Sequence, residues 1–65
     1  MASRSVIRNI QSGHVQTAIF RIAGGPYRYL VESRSHLRHI TPGLFTNSWE
    51  EAKSAVADQV AELNR

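Results

Sequence analysis

The 65-residue chain contains no cysteine. That absence excludes a disulfide framework, a thiolate zinc site and a cysteine nucleophile, and it suits a reducing, cytoplasmic setting. No apolar run approaches the roughly 18 residues needed to span a bilayer, so no membrane contact is expected. The opening Met1-Ala2-Ser3-Arg4-Ser5 lacks the apolar stretch of a secretory signal. Acid is scarce over residues 1–47, where Glu32 stands against Arg4, Arg8, Arg21, Arg28, Arg34 and Arg38. Residues 48–65 reverse the balance, with Glu50, Glu51, Asp58 and Glu62 against Lys53 and Arg65. The two parts carry +5 and −2, which sum to the net charge of +3. His14, His36 and His39 all lie in the basic part. Such segregation implies that the two sides of the molecule meet different partners.

What is present reads as one domain over residues 1–65, with a flexible tail at 1–4. A chain this short buries a thin core, so a partner or a second copy is expected to add stability. The clearest element is a helix over 48–63. Trp49, Ala52, Val56, Val60 and Leu63 recur at steps of three and four, which puts them on one face. Ser48 followed three residues later by Glu51 is a capping box, and Glu50 and Glu51 suit the positive end of the helix dipole. Ala55, Ala57 and Ala61 raise helix propensity and permit close approach.

A helix with one apolar face needs a sheet to lie on, and residues 6–41 supply the pattern for one. Gly24-Gly25 separates Val15–Ala23 from Pro26–Ser33, and a two-residue Gly-Gly loop is a tight hairpin signal. With that loop, Ile22 pairs with Tyr27, Phe20 with Tyr29 and Ala18 with Val31 on the helix side. Arg21 with Arg28, Ile19 with Leu30, and Thr17 with Glu32 then share the outer side. A loop at Ser33–Ser35 leads into a strand at His36–Thr41, ended by the turn dipeptide Pro42-Gly43. Leu37 and His39 join its core face, while His36, Arg38 and Ile40 join the outer one. Val6–Ile10 adds an edge strand through Gln11-Ser12-Gly13, and Leu44 and Phe45 lead onward into the helix. The expected class is therefore α+β: an antiparallel sheet of three to four strands, in the order β-β-β-β-α, covered on one face by the C-terminal amphipathic helix.

The outer sheet face is the candidate site. It presents Arg21, Arg28 and Arg38 around Ile19, Leu30 and Ile40, with Thr17, Glu32 and His36 at the margin and Arg34 on the adjoining loop. Opposed arginines destabilise a sheet unless something anionic relieves them, and exposed aliphatics mark interaction surfaces. Arginines standing up from strands suit duplex DNA, through phosphate or guanine contacts in the major groove. With Tyr27 and Tyr29 on the core side, no aromatic remains outside to stack an RNA base. The other reading is a protein-interaction module, whether regulator, inhibitor, antitoxin-like protein or homodimer, using the same arginine-aliphatic face.

Catalysis is not expected. No Gly-x-Ser-x-Gly elbow frames a serine, and Gly24-Gly25 is not followed by a helix that would cradle phosphate. His36 and His39 are three apart, so on a strand they point to opposite faces and do not make a zinc pair. No metal and no small-molecule cofactor is expected.

The passage Phe45-Thr46-Asn47-Ser48-Trp49-Glu50-Glu51-Ala52 resembles, as an analogy of fold, the entry into the helix in two kinds of small domain. Three-stranded-sheet DNA-binding domains of the integrase-arm and plant AP2 type share its Phe, Thr and Glu-Ala, here with one extra residue between Phe45 and Glu51. HicB-type antitoxins are similar in Pro42-Gly43 and in Ser48-Trp49-Glu50-Glu51-Ala52, here with a shorter spacer. The first resemblance implies DNA contact through the sheet, and the second a protein partner.

Overall fold

A computed structural model describes residues 3–35 and 42–64. Its helix α1, Trp49–Leu63, starts where the capping signal stands: the Ser48 side chain accepts a hydrogen bond from the Glu51 amide at 3.2 Å. The Ser48 amide in turn donates to the Thr46 hydroxyl at 3.1 Å, so the cap is tied to the strand before it. Glu50 and Glu51 occupy the first turn, where the dipole favours acid.

Four strands precede α1: β1 (Ser3–Ser12), β2 (Val15–Ala23), β3 (Tyr29–Ser35) and β4 (Leu44–Thr46). They form one antiparallel sheet in the order β1-β2-β3-β4, and α1 packs on one face of it. The class is α+β, a four-stranded meander with a C-terminal helix. Ser3 and Arg4 belong to β1 rather than to a flexible tail. The β1–β2 connection shrinks to Gly13-His14, with Gly13 at φ 62, a left-handed conformation that a side chain disfavours. Gly13→Ala is expected to cost about 1–2 kcal/mol in urea unfolding, through backbone strain alone. An unchanged midpoint would show that the turn accommodates a side chain at this position.

The register of β2 against β3 differs by one residue from that of a Gly-Gly hairpin. Ile19 pairs with Val31, Phe20 with Leu30 and Arg21 with Tyr29. The connection is longer than two residues, because Pro26, Tyr27 and Arg28 stand outside the strands. Asn47, just before the helix, holds that loop: its side-chain oxygen accepts from the Arg28 amide at 2.9 Å and its NH2 donates to the Pro26 carbonyl at 3.1 Å. The Ile22 amide donates to the Arg28 carbonyl at 2.8 Å, closing the loop from the other side.

A one-residue shift turns a strand's whole side-chain set to the other face. β3 keeps its expected orientation, with Tyr29 and Val31 toward α1. In β2, Val15, Thr17 and Ile19 face the helix and are fully buried, while Ala18, Phe20 and Ile22 face away. The core therefore consists of Ile19, Val31, Ala52 and Ala55, edged by Tyr29, Leu44, Trp49 and Val56. Ala52 and Ala55 let the helix backbone come close, and the small β-branched row of β2 fills the thin space beneath it. Trp49 lies at the margin of this core, its ring 5.5 Å from Tyr29, with the Arg8 guanidinium 5.2 Å from its centroid.

Buried polar side chains share this layer. Thr17 and Ser33 are cross-strand partners whose hydroxyls are 2.7 Å apart. The Ser33 hydroxyl also donates to Gln59 Oε1 at 2.6 Å, and Gln59 Nε2 donates to the Val31 carbonyl at 3.0 Å. The network satisfies groups whose burial would otherwise cost about 1–3 kcal/mol each.

Two further segments differ from the expected pattern. Ser33–Ser35, expected as a loop, continues β3 out to its pairing with Val15. Leu44–Thr46, expected as a lead-in to the helix, is a strand paired with Tyr29–Val31. The expected strand at His36–Thr41 lies outside the described residues.

Candidate functional site

With α1 on one face, the other face of the sheet carries the side chains that register sends outward. In β2 and β3 these are Gln16, Ala18, Phe20 and Ile22, opposite Arg34, Glu32 and Leu30. β4 adds Phe45, the partner of Leu30. In β1 a bulge at Ile7 changes the alternation. Arg4 and Val6 pair with Ile22 and Phe20 on the open side, whereas Arg8 pairs with Ile19 on the helix side. Beyond the bulge, Asn9 and Gln11 return to the open face opposite Ala18 and Gln16.

The composition of this face is aromatic and aliphatic at one end and polar and basic at the other. Phe45 is 50% exposed and Tyr27 45%, and their rings lie 5.8 Å apart at a tilt of 38°. With Ile22, Gly25 and Pro26 they line a shallow apolar recess of about 320 Å³. Val6 and Ile7 add exposed aliphatic surface on the edge strand. Beside them on the β1 side, the Arg4 guanidinium lies over the Phe20 ring, 4.4 Å from its centroid, and its Nη1 is 3.4 Å from Glu32 Oε1. Both partners of that ion pair are substantially exposed, so it contributes about 0–1 kcal/mol and Arg4 is free to exchange it for another anion.

The residues singled out from sequence separate. Ile19, expected on the outer face, is fully buried under the helix, because the register of β2 is set by a longer loop than Gly24-Gly25 alone. Leu30 does point to the open side, but it is 5% exposed, with Gly43 pressed against it: a Cβ on Gly43 would stand 2.7 Å from Leu30 Cδ1. Arg21 pairs with Tyr29 rather than Arg28, on the helix side, and is exposed. Arg28 is exposed in the loop. The opposed arginine pair therefore does not form. Arg34 is exposed on the open face, in β3 rather than a loop. His36, Arg38 and Ile40 lie outside the described residues.

Sequence reasoning missed Phe20, Tyr27, Phe45, Arg4 and His14. The signal available for them was weak, since β2 has large apolar side chains on both of its faces. The arginines of the expected cluster are dispersed, and the face gains aromatic rings in their place. Among the described residues no group of three or more His, Cys, Asp or Glu stands close enough to hold a metal ion. No helix among them is long and apolar enough to cross a membrane. Comparison with protein-family models, with curated proteins and with solved structures finds no match for this chain.

Proposed function

We propose that this domain acts by binding rather than catalysis, in the cytoplasm, and that its open sheet face takes up single-stranded nucleic acid. One observation carries the reading: Phe20, Tyr27 and Phe45 lie on the side of the sheet away from α1, which also presents Arg4 and Arg34. Bases stack on such rings at about 1–3 kcal/mol each, whatever their identity, and guanidinium groups follow the phosphates. Asn9, Gln11 and Gln16 supply amides suited to base edges. Charge complementarity favours an anionic occupant. Among the described residues this side carries Arg4 and Arg34, with Arg28 in the adjoining loop, against Glu32, while the acids of α1 lie in the other layer.

Duplex DNA, the expectation from sequence, loses its main support when the arginines disperse. Exposed aromatic rings suit unstacked bases better than the edges of paired ones. A second reading, a protein partner, is favoured by the recess at Tyr27 and Phe45, whose lining is wholly apolar.

Fluorescence anisotropy with a labelled twelve-nucleotide single strand and its duplex separates these readings. The single strand is expected to bind more tightly, with a log–log salt slope of roughly −2 if three phosphates are neutralised. No binding of the single strand at 50 mM salt would sink the proposal. Tighter binding of the duplex would restore the DNA-groove reading.

A further inference from the structure

Two depressions adjoin each other, one on the open face and one at its edge beside the β1–β2 turn. The larger, about 370 Å³, is floored by Ala18, the smallest side chain in the row Gln16, Ala18, Phe20, with Arg4, Val6 and Glu32 among its walls. The smaller, about 190 Å³, is lined by His14, Gln16, Arg34 and Ser35 at the β1–β2 turn. Gln16 and Arg34 line both, so the two are contiguous.

Their chemistries differ. The larger has an aromatic wall, aliphatic surface, side-chain amides and one carboxylate, which is an environment for a heterocyclic base. Among the described residues, the smaller has an imidazole, a guanidinium, an amide and a hydroxyl in its lining, and no carboxylate. The His14 ring holds its place through a 2.6 Å hydrogen bond between Nδ1 and the Ser35 hydroxyl. Guanidinium beside neutral donors is an arrangement for phosphate. Phe20 and Gln16, the partner of Arg34, are four positions apart on β2, about 14 Å along the strand, and Arg34 lines both depressions between them.

We infer that the Ala18 trough and the His14 cleft together seat one nucleotide, its base against Phe20 and its phosphate between Arg34 and His14. This rests on the single-strand reading and fixes where along the face one unit of the strand is held. The base displaces the Arg4 guanidinium from the Phe20 ring, and Arg4 then meets the neighbouring phosphate. The larger volume is at the small end of ligand-pocket sizes, roughly 300–1,000 Å³, which suits a single base rather than a large ligand.

Amide chemical shifts in 15N-labelled protein, titrated separately with adenosine, adenosine monophosphate and inorganic phosphate, test it. Adenosine is expected to move Ala18 and Phe20, and inorganic phosphate to move His14 and Ser35. The monophosphate moves both sets and binds about tenfold more tightly than adenosine, as a charge-assisted contact predicts. Arg34→Ala should abolish that tenfold preference, and Ala18→Leu should block the base while leaving the phosphate response. A labelled twelve-nucleotide strand is the control for the face as a whole. If it binds while the monophosphate shows no preference over adenosine, or moves only Tyr27 and Phe45, the nucleotide seat is wrong and the wider platform stands. If the strand itself does not bind, both fall together.

Discussion

Ile19→Ala is expected to remove roughly half of the domain's stability at 25 °C. Truncating a buried isoleucine costs about 2–5 kcal/mol, the lost transfer energy plus a cavity that neighbours fill only in part. A domain of this length has in total about 3–10 kcal/mol, taking 0.05–0.15 kcal/mol per residue. Ile19 is fully buried among Val31, Ala52 and Ala55, where the alanines have no side-chain length with which to close the gap. Phe20→Ala, one position along, removes a larger side chain but from the half-buried open face, and is expected to cost less. Urea melts followed by circular dichroism give both values. The ordering matters more than either number, because the sequence pattern by itself puts Phe20 inside and Ile19 outside. A Phe20 variant less stable than the Ile19 variant would reverse the orientation of β2.

Phe45→Ala is expected to weaken single-strand binding by about 5- to 150-fold, the equivalent of 1–3 kcal/mol for one lost stacking platform. The ring is 50% exposed, and its tilted pair with Tyr27 is worth about 0.5–1.5 kcal/mol. The fold should therefore survive, with a small shift in the melting midpoint. Phe45→Leu keeps the apolar contact and removes the π-face, so it should bind nearly as poorly as the alanine variant. Leucine restoring full binding would indicate that the recess takes an apolar side chain, and would favour a protein partner. Anisotropy at 50 mM salt, with melts as the control, separates the outcomes.

Some of the molecule is legible in the chain alone because the relevant interactions are local. The α1 helix follows from a capping residue, a charged first turn and apolar steps of three and four, all within sixteen residues. Tyr29 and Val31 keep their side of β3, and the antiparallel order with a final helix stands. The segregation of acid and base into two layers is also a direct consequence of where the residues lie in the chain.

The candidate face was less legible, for a physical reason. Period-two patterning specifies register only when one side of a strand is clearly apolar. β2 has Val15 and Ile19 on one side and Phe20 and Ile22 on the other, so either side can serve as the core. Tertiary contacts made the choice. Asn47 binds the backbone of Arg28 and Pro26, 19 and 21 residues earlier in the chain, and lengthens the loop. The alanine-lined helix then lies close to the sheet over the β-branched row, and Gln59 joins Thr17 and Ser33 in a buried polar network. The sequence by itself determined an α+β domain with a basic sheet and an acidic helix. Only the packing of that helix decided that the open side carries aromatic rings, because side chains distant in the chain set the register that turns them outward.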